Sequence, residues 1–340
     1  MNPFEHRVLG KTDLKIPVFG FGTAPIGALF DRVSESQALT TLQAAWKSGV
    51  RYYDTSPFYG HGLSENRLGH LLRQHRRSEF VVSTKVGRVF SRFRGDPDDW
   101  DGSTWVGGLP FELRFDYSYD GVMRSYEDST IRMGLNRIDL LLIHDLDFMF
   151  HKSEAGVAAR LKELESGFKA LEQLRSTGEI RGIGAGINEL GMMTRLLEDF
   201  DLDFFLVAMP YTLLQQEPLD RELPACQQRG VGVIIGAPFS SGILATGPGP
   251  DATHLYKPAT DEINRRVESI QRVCAGHGVS LKAAALQFPL GHPSVASVIP
   301  GALTSQHVEE NLVCMRHDIP APFWDELKHE KLIREDAPVP

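Results

Sequence analysis

Eight short apolar or β-branched runs recur along the chain, and they constrain its fold more than any other feature. Stretches with helical spacing of apolar residues separate the runs. Within each run the residues are continuously apolar, which is typical of strands buried on both faces of a parallel sheet. The runs are VFGFG from residue 18, VRYYD from 50, FVVSTK from 80, IDLLLIH from 138, IRGIGAG from 180, DFFLVAMP from 203, VGVIIGAP from 231 and ASVIPG from 296.

The order of these elements predicts the architecture. Residues 34–47 and 158–177 carry apolar side chains at steps of three and four, and Gly178 is placed to end the second helix. Strand and helix alternating eight times indicate an α/β fold, a (β/α)8 TIM barrel that takes up residues 1–340 as one domain. A doubly wound open sheet is the alternative, weakened because no GxGxxG follows the first strand.

Two segments fall outside the repeat of strand and helix. Residues 5–17 predict a β-hairpin ahead of the first barrel strand, placed as a cap. Residues 88–120 are rich in Gly, Pro and Asp and carry six Phe and Trp side chains. We expect them to form a long loop at the C-terminal face of the barrel, and loops of that length are often functional.

Composition excludes some classes of partner. The net charge is −8, from 36 basic and 44 acidic residues that are mixed along the sequence, whereas a nucleic-acid-binding protein favours a basic face. No apolar run approaches the roughly 18 residues of a membrane span, and residues 1–11 lack the apolar core of a signal peptide. We therefore expect a cytoplasmic protein with a small-molecule substrate, and neither nucleic acid nor membrane as a partner.

Ionisable residues stand at the ends of three consecutive runs, namely Asp54, Lys85 and His144. In a (β/α)8 barrel the C-terminal strand ends meet at one face, with neighbouring strands roughly 4.8 Å apart. We expect the three side chains to cluster, with Tyr59 added from the loop after the second strand. Each residue alone has an ordinary explanation as a cap, an ion pair or packing, but their combination favours an active site.

The four side chains complement one another as an acid–base catalyst. A free tyrosine has a pKa of about 10, and a nearby ammonium group lowers the pKa of a phenol. Asp54 would hold Lys85 charged and fixed, and His144 would orient a substrate oxygen. The set predicts that Tyr59 acts as general acid and base at a carbonyl or carbinol oxygen.

These motifs resemble the aldo-keto reductase superfamily through most of the chain. The similar segments are GFGT at 20–23, DTSPFYG, STKVG, DLLLIHD and IPGALTSQHVEENL from 299, and Asp54, Tyr59, Lys85 and His144 match the catalytic tetrad of that superfamily. The resemblance implies a barrel whose bottom is closed by the N-terminal hairpin. It also implies hydride transfer between a nicotinamide cofactor and a substrate carbon, with Tyr59 exchanging the proton.

The resemblance further implies where the cofactor binds. Asn188 matches the residue that holds the nicotinamide carboxamide, and Tyr211 matches the aromatic that stacks on the nicotinamide. The segment from 299 corresponds to the part that binds the adenosine phosphate end at a helix N-terminus. No metal site is implied. The full set of implied cofactor-binding residues is Gly22, Thr23, Asn188, Tyr211, Phe239, Ser241, Gly242, Gly301, Thr304, Gln306, Glu310 and Asn311.

The same segment predicts which cofactor is preferred. Members specific for NADP place Lys or Arg at positions that align with Gly301, Leu303 and His307, and this chain has neither residue type between Pro300 and Leu312. A 2′-phosphate would lack a cationic partner here. We therefore expect NAD as the cofactor, with NADP bound more weakly.

The variant motifs DTSPFYGHGLSE, GAGINE and IHDLD are most similar to the branch of L-fucose (D-threo-aldose) 1-dehydrogenases, L-galactose dehydrogenases and pyridoxal 4-dehydrogenases. This predicts oxidation of the C1 hydroxyl of a cyclic aldose to its lactone. Pyridoxal oxidation and general aldehyde or ketone reduction are the alternatives. Two other classes stay open, a regulatory subunit that binds cofactor with little turnover and a metal-dependent hydrolase that uses Asp54, His61, His144 and Asp145.

Overall fold

Eight parallel strands form the central sheet in the computed structural model, which describes residues 1–340. Each strand overlaps one of the eight apolar runs of the sequence. Parallel bridges between Phe19 and Val298 and between Gly22 and Gly301 join the first barrel strand to the last, so the sheet closes on itself. The predicted (β/α)8 barrel is therefore confirmed, and the open doubly wound sheet is not formed.

The barrel strands alternate with helices, and three two-stranded antiparallel hairpins are added to this frame. The strands are β1 (His6–Val8), β2 (Lys15–Pro17), β3 (Phe21–Gly22), β4 (Tyr52–Asp54), β5 (Val81–Val86), β6 (Arg88–Arg92), β7 (Phe111–Phe115), β8 (Leu140–His144), β9 (Gly182–Ile187), β10 (Phe204–Ala208), β11 (Gly232–Gly236), β12 (Thr253–His254), β13 (Lys257–Pro258) and β14 (Val295–Ile299). The barrel consists of β3, β4, β5, β8, β9, β10, β11 and β14 in that order.

Twelve α-helices accompany the strands. They are α1 (Glu35–Lys47), α2 (Leu63–Leu72), α3 (Tyr119–Met133), α4 (Phe148–His151), α5 (Glu154–Ser176), α6 (Met192–Asp199), α7 (Glu222–Arg229), α8 (Ile243–Thr246), α9 (Asp261–His277), α10 (Leu281–Gln287), α11 (Ser305–Arg316) and α12 (Ala321–His329). None of these helices is both long enough and apolar enough to cross a membrane.

The core has two layers that the barrel wall separates. A large cluster of 77 buried residues fills the space between the strands and the surrounding helices. A second cluster of 11 residues fills the barrel interior, with Leu140 and Leu142 of β8 among its members. Since side chains alternate between the two faces of a strand, β4, β8, β10, β11 and β14 contribute to both layers. This double burial explains why the runs are continuously apolar.

The predicted N-terminal hairpin closes the bottom of the barrel. Strands β1 and β2 pair in antiparallel register, and Leu9, Leu14 and Ile16 join the apolar cluster inside the barrel. Gly10 at the tip has a φ of +53°, and a Cβ there would lie 2.0 Å from the carbonyl oxygen of Asp203. Only glycine permits so close an approach, and the hairpin therefore seats tightly on the barrel floor.

The segment 88–120 is more ordered than the sequence prediction of one long loop. Strands β6 and β7 form an antiparallel hairpin whose register runs from Arg88 opposite Phe115 to Arg92 opposite Phe111. The apolar and polar residues of FELRF at 111–115 alternate, which is the strand signal that the Gly- and Pro-rich neighbourhood obscured. The hairpin begins directly after barrel strand β5, so its first residue lies at the barrel mouth.

Candidate active site

Asp54 and Lys85 form a buried ion pair at the C-terminal ends of β4 and β5. The Lys85 Nζ donates hydrogen bonds to Asp54 Oδ2 and to the carbonyl oxygen of Thr55, both at 2.7 Å. The Ser83 hydroxyl donates to Asp54 Oδ1 at 2.7 Å. The two charged side chains are only 1% and 2% exposed. Removing one partner from such a pair leaves an uncompensated buried charge, which typically costs about 3–5 kcal/mol.

Tyr59 lies beside this pair, in the loop between β4 and α2. The Lys85 Nζ is 4.7 Å from the centroid of the Tyr59 ring. The ring also packs against Trp105, at a centroid distance of 5.4 Å, and against His144 at 6.1 Å. Tyr59 borders both an inner and an outer cavity at the barrel mouth, so its side chain is placed between two potential ligands.

The pKa of Tyr59 is raised well above its ordinary value, and this differs from the expectation that Lys85 lowers it. Burial is the largest cause, the charges of Asp54 and Asp145 add to it, and Arg88 opposes it. The ammonium of Lys85 is compensated by its ion pair with Asp54, which leaves little net field for the phenol. Tyr59 is therefore a protonated phenol near neutral pH.

His144 ends β8 and faces the same site. Its Nδ1 lies 2.9 Å from Arg88 Nη1 and 3.2 Å from the Ser56 hydroxyl. Burial, followed by the charges of Arg88 and Lys85, holds the pKa of His144 well below its ordinary value. The imidazole is therefore neutral, and the barrel brings it together with Asp54, Lys85 and Tyr59 as the strand ends predicted.

Backbone strain surrounds the site. Asp145, Met209 and Ala237 directly follow β8, β10 and β11, and their φ angles are +54°, +81° and +49°. Each such residue costs of order 1–3 kcal/mol and persists only where the surrounding structure requires it. Strain of this kind clusters at functional sites, and here it marks the barrel mouth on three strands.

An inner cavity of about 320 Å³ opens above the tetrad, within the range of small-molecule sites. Most of its wall is apolar or aromatic, and the polar side chains at it include Tyr59, Lys85, His144 and Asn188. The lining side chains that sequence reasoning did not assign include Leu29, Phe30, Phe58, Thr104, Met149, Phe150, Leu206 and Tyr256, and Asp145, named only for the hydrolase alternative, lines it as well. Of the six Phe and Trp side chains in segment 88–120, only Trp105 reaches it.

An outer cavity of about 380 Å³ continues from Tyr59 across the strand ends of β11 and β14. No Lys or Arg lines it, and its titratable residues are Asp31, Asp54, Tyr59, Tyr256 and His307. Five of the residues predicted to bind cofactor line this cavity, namely Gly22, Phe239, Ser241, Gly242 and Gly301.

Asn188 lines the inner cavity, and its amide nitrogen donates to Asp145 Oδ1 at 2.9 Å and Asp147 Oδ2 at 3.0 Å. The amide oxygen takes part in neither bond, so it can accept one from a carboxamide. Ala208 lines the same cavity and supplies only a methyl group to its wall.

The remaining predicted residues of the adenosine end lie on or next to α11. Thr304 caps this helix, accepting a hydrogen bond from the His307 N–H at 3.2 Å. Glu310 accepts from Lys282 at 2.9 Å and from Gln306 at 2.8 Å. The side-chain oxygen of Asn311 is buried without a hydrogen-bond partner.

Two predicted cofactor residues lie elsewhere. The Tyr211 ring is fully buried and packs against Phe288 and His292, so it borders neither cavity and cannot stack on a ligand there. That prediction is not supported by the structure, because the chain leaves β10 toward the helical layer before it reaches Tyr211. The hydroxyl of Thr23 is also buried, and it donates to the carbonyl oxygen of Asp54 at 2.8 Å.

No group of three or more His, Cys, Asp or Glu side chains is arranged to hold a metal ion. His61, one of the four residues in the hydrolase alternative, has its Nδ1 2.6 Å from the carbonyl oxygen of Phe111. The metal-dependent hydrolase therefore gains no support from the geometry.

Two further charged residues lie beside the tetrad, of which sequence reasoning missed Arg88 and assigned Asp145 only to the metal-dependent hydrolase. Arg88 and Asp145 form an ion pair at 2.8 Å, and both are almost completely buried. Asp145 follows His144 directly, so its position was a usable signal. Arg88 carried none, because only the turn at Gly87, with a φ of +103°, directs the chain back toward the barrel mouth.

Residues 18–330 match the model of the aldo/keto reductase family. The chain belongs to the aldo/keto reductase family. It is 40% identical to a pyridoxal 4-dehydrogenase of Microbacterium luteolum, over 97% of this chain and 98% of the relative. It is 39% identical to a D-threo-aldose 1-dehydrogenase of Pseudomonas sp, over 94% of this chain and 95% of the relative. An L-galactose dehydrogenase of Arabidopsis thaliana is 31% identical, over 93% of this chain and 89% of the relative.

Solved structures agree with the fold. An aldo-keto reductase from Bacillus halodurans in its holo form superposes with a TM-score of 0.75 at 22% identity, covering 97% of both chains. A glycerol dehydrogenase from Gluconobacter oxydans gives a TM-score of 0.74 at 19% identity, covering 100% of this chain and 98% of the other. Family and relatives together make this protein an NAD(P)-dependent oxidoreductase of the predicted branch.

Proposed function

We propose that this aldo-keto reductase prefers NAD and oxidises the hydroxyl of a cyclic hemiacetal to a lactone. The observation that carries the proposal is the arrangement of Tyr59 between the two cavities, beside the buried Asp54–Lys85 pair and facing neutral His144. A carbinol oxygen in the inner cavity would meet both a proton acceptor and a hydrogen-bond donor there.

The roles of the residues follow from their chemistry. Nicotinamide, when bound, supplies the two-electron acceptor that takes the hydride from the carbinol carbon. Tyr59 would take the hydroxyl proton as its phenolate, and the neutral imidazole of His144 would hold the same oxygen. Asp54 accepts a hydrogen bond from Lys85 Nζ and so holds the ammonium group at the barrel mouth beside Tyr59. Loss of one hydride and one proton converts a hemiacetal into a lactone.

Three features of the outer cavity support NAD over NADP. No Lys or Arg lines the cavity, and Asp31 adds a negative charge to it. Lys282, whose Nζ lies 5.8 Å from the centroid of the Phe239 ring, is paired with Glu310. A 2′-phosphate would therefore meet no free cation.

Two ring systems fit the same reaction, a cyclic aldose and pyridoxal in its hemiacetal form. The sequence favours the sugar. The inner cavity favours the flat pyridine ring, because Phe58, Trp105 and Phe150 form much of the wall. A sugar brings several further hydroxyls that each need a partner when buried, and outside the tetrad the wall offers polar side-chain atoms only from Thr104, Trp105, Asp145, Asn188 and Tyr256. The relative at 40% identity, named for pyridoxal, points the same way.

NAD reduction should be compared for L-fucose, D-arabinose, L-galactose, L-xylose and pyridoxal, as kcat/KM. A clear maximum for one hemiacetal substrate supports the proposal, and the ranking decides between sugar and pyridoxal. In Tyr59→Phe turnover should fall about 10²–10⁴-fold, the usual contribution of a general acid or base, while NAD binding stays close to that of the unmodified protein. Full activity of Tyr59→Phe would disprove the role of this phenol.

Cofactor preference is tested separately with the best substrate. The ratio of kcat/KM for NAD to that for NADP should exceed one, and His307→Arg should lower it by adding a cation at the outer cavity. His307→Gln is the matched control because it adds no charge. A preference of the unmodified protein for NADP would overturn the cofactor proposal and leave the substrate proposal standing.

A further inference from the structure

Arg88 begins strand β6 above the barrel mouth, and its guanidinium is enclosed by aromatic rings. The centroids of Phe58, Phe115 and Phe150 lie 4.3, 4.4 and 4.9 Å from its Cζ atom. The residue is only 4% exposed. Desolvated cation–π contacts of this kind fix both the position and the plane of a guanidinium.

The guanidinium makes two polar contacts in this enclosure, one ion pair and one hydrogen bond. One terminal nitrogen, Nη2, pairs with Asp145 Oδ2 at 2.8 Å. The other, Nη1, lies 2.9 Å from His144 Nδ1. A guanidinium has N–H donors and no acceptor, and it stays protonated in proteins. His144 Nδ1 must therefore accept this hydrogen bond, and the ring proton must lie on Nε2.

The other groups around the imidazole agree with that assignment. The Ser56 hydroxyl, 3.2 Å from the same Nδ1, can donate as well. Lys85 adds a second positive charge nearby, itself paired with Asp54, while Asp145 Oδ2 lies 3.4 Å from Nε2. A proton on Nδ1 would face the Arg88 donor directly, and burial together with Arg88 already lowers the pKa of His144.

We propose that Arg88 is a positioning residue that holds His144 as the neutral tautomer with its proton on Nε2, so that Nε2 donates to the substrate oxygen that Tyr59 deprotonates. The inference deepens the proposed function and rests on it for the substrate oxygen. The tautomer assignment itself rests on the Arg88–His144 contact alone. Lysine would not replace arginine fully, because one ammonium group cannot form the planar fork that meets His144 and Asp145 together.

The first test is the tautomer, which needs no substrate. Proteins labelled with ¹⁵N-histidine are compared by long-range ¹H–¹⁵N NMR, and His144→Asn identifies the His144 signals. In the unmodified protein His144 should show the Nε2–H tautomer and no titration in the neutral range. In Arg88→Met, which fits the aromatic enclosure without a donor, the ring should populate both tautomers. An Nδ1–H tautomer in the unmodified protein would overturn the proposal.

The second test is kinetic and uses a matched control. Arg88→Met should lower kcat by about 10- to 100-fold, part of what a misplaced acid–base group costs, with the KM for NAD unchanged. Arg88→Lys should recover part of the loss, and Arg92→Met, an exposed arginine on the same strand, should match the unmodified protein. Equal kcat for Arg88→Met and Arg92→Met would refute the role, whereas inactivity of every protein on hemiacetals would refute the substrate instead.

Discussion

The two ends of the barrel interior contrast sharply, although the same strands build both. At the bottom, Leu140 and Leu142 of β8 belong to the apolar cluster that the hairpin residues Leu9 and Leu14 complete. Two residues further along β8, His144 faces the cavity. Because side chains alternate along a strand, the three β8 residues point to one side and differ only in depth.

Strands β4 and β5 repeat the pattern. Tyr52 lies in the apolar interior cluster, and Asp54, two residues later, carries a charge. Ser83 connects the apolar lower part of the barrel interior with the charged upper part. Its hydroxyl lies 3.1 Å from the Tyr52 hydroxyl and donates a hydrogen bond to Asp54 Oδ1. The lower end is thus built for stability and the upper end for chemistry. Mutations at equal burial but different depth should separate the two.

The largest effect is expected from Lys85→Met at the upper end. The variant leaves Asp54 buried without a partner, so the free energy of unfolding should fall by about 3–5 kcal/mol and kcat by at least about 100-fold. Urea unfolding and steady-state kinetics measure the two effects. The double variant Asp54→Asn with Lys85→Met should regain stability but no activity. Activity regained by that double variant would show that the pair is structural only.

Leu142→Ala tests the lower end on the same face of the strand that carries His144. The cavity it creates should lower the free energy of unfolding by about 2–5 kcal/mol, while kcat at a temperature where the protein is folded stays near its original value. Thermal unfolding and kcat provide the measurements. A loss of turnover as large as that of Lys85→Met would remove the distinction between the two ends.

Only the upper end should respond to pH through Tyr59. Because its pKa is raised, mainly by burial, the phenolate that accepts the hydroxyl proton is scarce at neutral pH and gains about tenfold per pH unit. The kcat/KM for oxidation should therefore rise with pH through the neutral range, and Leu142→Ala should keep the same slope. A rate that falls as pH rises would contradict this sign.

The smallest effect is expected in the hairpin that closes the floor. The Thr12 hydroxyl donates to the carbonyl oxygen of Leu9 at 2.7 Å and accepts from the Leu14 N–H at 3.1 Å. Thr12→Ala removes both bonds and should cost about 1 kcal/mol of stability without changing kcat or the pH profile. Thr12→Ser keeps the hydroxyl and is the control. A change in the kcat of Thr12→Ala would show that the hairpin at the barrel bottom is coupled to the active site.

Local pattern was sufficient for the barrel and for the tetrad positions. The eight apolar runs predicted the eight barrel strands. Asp54, Lys85 and His144 stand at the ends of runs that meet at the barrel mouth. The prediction that residues 88–120 form one loop was wrong because turn residues hid the alternation of a short hairpin. The expected stacking of Tyr211 has no support because one strand end does not reveal which way the chain turns next.

The sequence by itself determined the fold and the class of chemistry, since both follow from periodicity and from residue types at fixed strand ends. Only the tertiary structure decided the ionisation of Tyr59, the neutralisation of Lys282 by Glu310 and the contact of Arg88 with His144. These are set by burial and by distances between residues 28 to 56 positions apart. Electrostatic interactions depend on separation in space and on the surrounding dielectric, and neither can be read from order along the chain.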